Sequence, residues 1–334
     1  MMNRIERLQK TFAGERTDRI PVALWRHWPG DDQRAADLAR ATVEFQRTYD
    51  WDFVTIQPSA SYGVIDLGLH DEWIGSADGS RSIVKRGVNR SLEWTELRPL
   101  DPQRGSLGRQ LEAVRLIGEA FPNGETPLIQ TIYSPLSQAV MLGGPSLLLR
   151  HLRTHPDRIQ TALNVLTETT IRLIDALRRL PLAGLIYVVD QASYDLLSED
   201  EYRVYGLPYD RKILESLPDR WWFRTLQLAT NAPMFRLCSQ LPAYAINWPD
   251  QDTEPDLTQG RAMFNGAMCG GLSSQQHLNL GTPSSVREAA RVAISTMNGR
   301  RLILSSGNPI AVTTPLSNIR ATRESVNHIG ATSA

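Results

Sequence analysis

The stretch RRLILSSGNPI, Arg300 to Ile310, decides how the rest of the chain is read. Leu302-Ile303-Leu304-Ser305 has no polar face, so it reads as a strand covered on both sides. Ser306-Gly307-Asn308-Pro309 then breaks it abruptly. A covered strand that stops on a glycine turn presents side chains there, and Asn308 is the first candidate. Working outward, seven more segments have the same character: IPVALW (20–25), WDFVTIQ (51–57), PLIQTIY (127–133), LAGLIYVVD (182–190), WWFRTLQL (221–228), AYAINW (243–248) and FNGAMCGG (264–271). Between them lie helical patterns. DQRAADLARATVEFQRTY has apolar residues at i, i+3, i+4 spacing, and a long amphipathic run starts at Pro156. Ser198 with Glu201 reads as a capping box opening a helix to Leu217, and a further helix follows Gly281.

Strand then helix, eight times over, predicts an α/β fold: a single (β/α)8 TIM barrel spanning 1–334 as one domain. A helix over about Arg4 to Phe12 precedes the first strand. Residues 62–100 are out of step, and ADGSRSIVKRGVN predicts a hairpin turning at Asp78-Gly79, an insertion of about 70–100 after the second strand. It would serve as a lid or as a dimer arm. The rival architecture, an open doubly wound sheet, lacks a G-x-G-x-x-G after any strand.

With 334 residues, 41% hydrophobic and 22% charged, the chain can bury a large core. Lys+Arg and Asp+Glu balance at 36 each, which gives no case for nucleic acid or an anionic membrane. Cys238 and Cys269 form no C-x-x-C and are expected as reduced, buried thiols. The charged N-terminus has no apolar h-region and LAGLIYVV is too short to span a bilayer, so a soluble cytoplasmic protein is expected.

In such barrels chemistry sits at the C-terminal ends of the strands. Those ends offer Arg26 and His27, then Tyr62 and Asp66, Tyr133, Asp190-Gln191 with Tyr194 beyond, Gln227, Asn247-Trp248, Gly270-Gly271, and Asn308. Arg26 could grip a carboxylate or phosphate, or pair with Asp31, Asp32 or Asp190. His27 could be an acid or base, or a loop histidine held by a hydrogen bond. Asp190 is the best general base, unless an arginine holds it. Tyr133 and Tyr194 could donate to a substrate or sit in the core. Lysine occurs only at Lys10, Lys85 and Lys212, away from every strand end, which removes Schiff-base chemistry in its usual form. No His/Cys/Asp/Glu cluster has metal spacing; His70, His151, His155, His277 and His328 are scattered, and the i, i+4 pair His151/His155 is expected on a solvent face.

FAGERTDRIPVALW, TIYSPLSQAVMLGG, LSEDEYRVYGLPYDRKIL, and GTPSSVREAARVAI followed by RLILSSGNPIAVTTPLSNIRA resemble uroporphyrinogen decarboxylase and its relatives, the corrinoid-linked methyltransferases, over nearly the whole chain. The resemblance implies a (β/α)8 barrel. It also implies zinc ligands in methyltransferase members, a His-x-Cys or His-x-His pair after the fifth strand and a Cys in the last glycine turn. Those positions hold Gln227, Ala229 and Asn308 here. The decarboxylase branch implies an Arg-Gln-Ala-Gly-Arg loop after the first strand, where WRHWPGDD keeps only Arg26. Its aspartate falls near Gln57-Pro58, its tyrosine near Met141, its serine near Gln191 and its histidine on Asn308.

The reading is therefore a divergent member acting on a small carboxylated or methylated substrate, by C1 transfer or decarboxylation, without metal or other cofactor. Arg26 would anchor an anion, and His27 or Asp190 would move the proton. Gln227, Asn247 and Asn308 would orient the substrate among Tyr62, Tyr133, Gln191, Tyr194 and Trp248. The alternatives are a true uroporphyrinogen decarboxylase or zinc-dependent corrinoid methyltransferase, and a non-catalytic ligand-binding pseudoenzyme whose pocket holds no perturbed acid or base. A corrinoid protein is the partner implied by the methyltransferase reading, and eight tryptophans leave room for a homodimer interface.

Overall fold

The computed structural model describes residues 2–327; His328 lies outside them. Its strands are β1 (Val54–Ile56), β2 (His70–Glu72), β3 (Ser82–Lys85), β4 (Leu128–Tyr133), β5 (Gly184–Val188), β6 (Phe223–Gln227), β7 (Ala245–Asn247), β8 (Ala267–Leu272) and β9 (Leu302–Ser306). Seven form one parallel sheet in the order β1-β4-β5-β6-β7-β8-β9. The helices around it are α1 (Arg4–Ala13), α2 (Ala35–Tyr49), α3 (Gly105–Ala120), α4 (Pro135–Gly143), α5 (Pro145–Thr154), α6 (Pro156–Leu177), α7 (Glu199–Tyr205), α8 (Leu207–Glu215), α9 (Phe235–Cys238), α10 (Leu257–Met263), α11 (Pro283–Thr296) and α12 (Leu316–Glu324). Sheet residues are buried almost without exception, as parallel strands covered by crossover helices must be.

The eighth expected strand, 20–25, does not join the sheet as a regular ladder. It closes the gap between the two edge strands by single contacts. On one side Ala23 N donates to Leu304 O at 3.2 Å and Leu304 N donates to Pro21 O at 2.9 Å, and Val22 and Arg26 bridge in parallel to Leu304 and Ile310. On the other side Asp52 N donates to Val22 O at 3.0 Å. The reason is local. Pro21 has no N–H, and Val22 N donates at 2.7 Å to the Asp52 carboxylate, not to a ladder carbonyl. The result is a modified TIM barrel.

Helix starts follow local chemistry. Pro156 stands at the start of α6, the Ser198–Glu201 capping box opens α7, and Thr282 caps α11. The single helix expected over 198–217 is two, α7 and α8, parted at Gly206. Asp210 ties them to β5, accepting from Tyr187 Oη at 2.8 Å and Tyr202 Oη at 2.5 Å. The pair His151/His155 departs from its expected solvent face, since His151 is buried and its Nδ1 accepts from Trp94 Nε1 at 3.0 Å.

The insertion is an antiparallel hairpin of β2 and β3. Its loop is longer than a two-residue turn, and Asp78 organises it, accepting from Ser76 Oγ at 2.6 Å and Ser80 N at 2.8 Å. The loop lies across the turns that follow residues 20–26 and β9: Val312 N donates to Ala77 O at 2.7 Å, and Arg81 Nη1 donates to Pro29 O at 3.1 Å. Among the described residues no helix is long and apolar enough to cross a membrane.

Candidate active site

Strand register sets the site's height in the barrel. Tyr133 pairs with Val188, Val188 with Gln227, Gln227 with Asn247, and Asn247 with Cys269. Laterally paired residues in a parallel sheet point to one side. Tyr187 reaches outward to Asp210 on α8, so Val188 and the row with it face the interior. One face of the barrel's C-terminal end thus carries a phenol, two amides and a thiol in a row.

Asp190 stands two residues beyond Val188. Ser137 Oγ, on the first turn of α4, donates to its Oδ1. Burial raises its pKa, opposed by the hydrogen bonds from Ser137 and Gln191. The charge on Asp190 also adds to the burial that pushes the Tyr133 phenol up, so the two side chains share one environment. Gln57 Nε2 donates to Tyr133 Oη at 3.1 Å, and Thr131 Oγ1 donates to Gln57 Oε1 at 2.9 Å. These bonds fix the phenol's position. On the other half of the row, Asn247 Nδ2 donates to Cys269 O at 2.7 Å and Ser306 O at 2.8 Å. That leaves Asn247 Oδ1, Gln227 Nε2 and Thr225 Oγ1 buried with no hydrogen-bond partner among the described residues. Buried polar groups are usually paired, so these three atoms stand out.

Sequence reasoning stopped at Trp248 and missed Asp250, two residues on. Asp250 is 3% exposed. Burial pushes its carboxyl up to about 6, against hydrogen bonds from Gln251 and Gly271. Gly271 N donates to both carboxylate oxygens, at 3.0 and 3.2 Å. A Cβ on Gly270 would lie 2.1 Å from Asp250 Oδ1, so the Gly270-Gly271 pair makes room for this carboxylate. That pair was the available signal. Cys269 lies beside it, its thiol pushed up to about 12 by burial.

The other expected residues are spread out. Arg26 lies over the ring of Trp28, 5.0 Å from its centroid, and its one hydrogen bond runs from Nη2 to Val312 O at 3.3 Å. It pairs with none of Asp31, Asp32 or Asp190; Asp31 is held by Arg40 and Asp32 by Arg81. His27 is half-buried under the hairpin loop, where burial lowers its pKa to about 4 against the pull of Asp78. Tyr62 is buried and donates to Thr131 O at 3.1 Å. Trp248 is fully buried on the helix side, donating to Pro255 O at 2.6 Å and packing on Phe235. Tyr194 is 54% exposed and donates to Glu199. Asp66 accepts from Ser106 at the start of α3. Gln191 and Asn308 are half-buried at the rim. The glycine turn before Asn308 packs tightly, because a Cβ on Gly307 would lie 2.1 Å from Pro249 Cα.

The family model described as Uroporphyrinogen decarboxylase matches residues 3–329. The chain belongs to the uroporphyrinogen decarboxylase family. Within that family it is similar to methylcobamide:CoM methyltransferase MtbA of Methanosarcina acetivorans and of Methanosarcina mazei, each 22% identical over 335 residues, covering 94% of this chain and 95% of theirs. A solved methyltransferase from Methanosarcina mazei superposes with a TM-score of 0.85 at 20% identity, over 97% of this chain and 98% of that one. A B12-independent methionine synthase from Shewanella sp. W3-18-1 shares the fold more loosely, with a TM-score of 0.59 at 10% identity, over 92% and 97%.

The zinc implied by the methyltransferase resemblance does not fit this family member. Gln227 and Asn308 offer amides and Ala229 a methyl group, none a soft N/S ligand. Among the described residues no three His, Cys, Asp or Glu side chains are placed to hold a metal ion. The row from Tyr133 to Cys269 also carries no guanidinium to meet the carboxylates of a tetrapyrrole.

Proposed function

We propose that this protein transfers a methyl group to a small acceptor, with Asp190 taking the acceptor's proton. The observation that carries the reading is Asp190 itself: a buried carboxyl beside Tyr133 and Ser137, at the edge of a row of neutral hydrogen-bonding groups. Burial raises a carboxylate's basicity toward the working pH, where a general base is most effective. In the step, the acceptor's X–H bond breaks and its proton passes to Asp190. The freed electron pair forms the X–CH3 bond. The bond between methyl and donor breaks, and its pair stays on the donor.

Gln227 Nε2–H and Asn247 Oδ1, both unpartnered, would hold the acceptor, the former meeting a carboxylate or carbonyl oxygen. The relatives' printed names support a methylcobamide as donor, and a corrinoid protein would be the partner that carries it. Decarboxylation of a tetrapyrrole suits the interior less, because several carboxylates would need cations there.

The test is incubation with methylcobalamin and a panel of small thiols, amines and hydroxy acids, following demethylation by absorbance and the methylated product by mass. Asp190→Asn is expected to lower the rate by about 10²–10⁴ while leaving the circular dichroism spectrum unchanged. Carbon dioxide release from uroporphyrinogen with no methyl transfer, or an Asp190→Asn variant at the wild-type rate, would overturn the reading.

A further inference from the structure

Asp190 is held from one side by a chain of two hydroxyls, and the chain has a direction. Ser134 N donates to Val188 O at 2.9 Å, which anchors the start of α4 on β5 just before Asp190. Ser134 then caps α4, its Oγ accepting from Ser137 N at 3.2 Å. The two hydroxyl oxygens lie 2.7 Å apart, and Ser137 Oγ donates to Asp190 Oδ1. A carboxylate only accepts, and a serine hydroxyl has one proton to give. With Asp190 ionised, Ser137 gives its proton to Oδ1, so Ser134 is the donor between the two serines. Both serines are 1% exposed, so water does not compete for these bonds and neither hydroxyl is open to a substrate.

The surroundings of the carboxyl give the chain its weight. Burial pushes Asp190 up, and the Ser137 hydrogen bond comes first among the contacts that pull it back, followed by Gln191. The titratable groups that feel its charge are the Tyr133 phenol on β4 and Asp210 on α8. Both are acids, so neither offsets the cost of burying an anion. The donors that do are hydroxyl and amide rather than a cation. Hydrogen bonds to the charged form favour it, and both serines sit at the positive end of α4. Gln191 lies at the half-buried rim, whereas the serine chain is closed off from water.

We propose that Ser137 and, behind it, Ser134 are positioning residues that keep Asp190 ionised and fixed in place, with Oδ1 engaged by the chain and Oδ2 left to take the proton. The role rests on the reading of Asp190 as the general base. Neither serine touches the acceptor; both act through the carboxylate.

The test is the titration of Asp190 itself by NMR, in the full chain with isotopically labelled aspartate carboxyl groups, the signal being assigned by its loss in Asp190→Asn. Ser137→Ala leaves the α4 cap in place and is expected to raise the Asp190 midpoint by about one pH unit; Ser137→Thr is expected to bring it back. Ser134→Ala should raise it by less, because Ser137 keeps its own proton to donate, and it decides on the same terms should Ser137→Ala fail to fold. A rise that Ser137→Thr reverses carries the proposal. A midpoint that stays or falls in the folded variants, or a rise that Ser137→Thr leaves in place, overturns it. The readout needs no turnover, which separates it from the proposed reaction. In active enzyme the acid limb of kcat/KM follows the midpoint upward in Ser137→Ala. A midpoint that moves while the wild type transfers no methyl group keeps the serine chain and removes the reaction.

Discussion

At the scale of single residues, two side chains titrate in opposite senses. The Asp250 carboxyl is raised to about 6 by burial. The unfolded chain ionises it first as pH rises, so its contribution to stability is full below about 4 and is lost as pH climbs through 6. Asp250→Asn is therefore expected to stabilise the protein by about 1–3 kcal/mol at pH 7, with the gain vanishing at pH 4. Urea denaturation at the two pH values checks it; a variant destabilised at pH 7 would mean that the Gly271 hydrogen bonds outweigh the buried charge. His27 runs the other way. Its folded value of about 4 lies below the ordinary one, so the unfolded chain takes up the proton first and stability drains away as pH falls from about 6.5 to 4. His27→Gln is expected to flatten that acid limb by about 1–3 kcal/mol. A denaturation series over the same interval reads it, and an unchanged slope would show the imidazole open to water. Neither shift was legible in the residue string. His27 looked like an available base because its position after a strand is visible. The hairpin loop that covers it comes from residues fifty positions away.

At the scale of elements, the strands were legible and their ends only partly so. Apolar runs bounded by glycine and proline located every strand of the sheet, because burial on both faces leaves no polar periodicity to confuse. Direction was harder. Asn247 and Trp248 are adjacent, yet one faces the interior and the other lies against Phe235 on the helix side; strand alternation decides this once a single side chain is oriented. The opening stretch shows the same limit. Its strand and turn were readable, but the turn's second role was not: Gly307 lets β9 run against the β7 loop, where a Cβ would lie 2.1 Å from Pro249 Cα and 2.3 Å from Trp248 O. Backbone cannot move aside as a side chain can. Gly307→Ala is expected to cost about 2 kcal/mol or more, read as a lower urea midpoint. It should also displace Asn308 and Asp250 together, since both flank the contact. Wild-type stability in that variant would mean the two turns part freely.

At the scale of the whole molecule, one carboxylate holds the barrel closed. Asp52 is fully buried. It accepts from Arg7 Nη1 at 2.8 Å, Arg19 Nη1 at 2.7 Å and Val22 N at 2.7 Å, while its own N–H donates to Val22 O. It therefore joins α1, the loop after it and the closing segment to the foot of β1. Eight strands were readable from the sequence, but not that one of them closes the ring through a side chain. No local pattern distinguishes an aspartate that caps a ladder from one that faces water. Removing the charge leaves two guanidiniums facing an amide, and among the described residues Arg19 has no second carboxylate, whereas Arg7 keeps Asp18. Breaking a buried pair by removing one partner typically costs about 3–5 kcal/mol, and Asp52→Asn is expected to fall in that range by urea denaturation. The loss should concentrate at the seam. Amide exchange at Val22, Ala23 and Leu304 is expected to quicken more than at Ile186 or Leu226 in the middle of the sheet, because those strands keep both neighbours. Uniform quickening would mean that the barrel unfolds as one unit and that Asp52 supports all of it equally; a loss below about 1 kcal/mol would mean that the contacts between residues 20–26 and β9 suffice for closure.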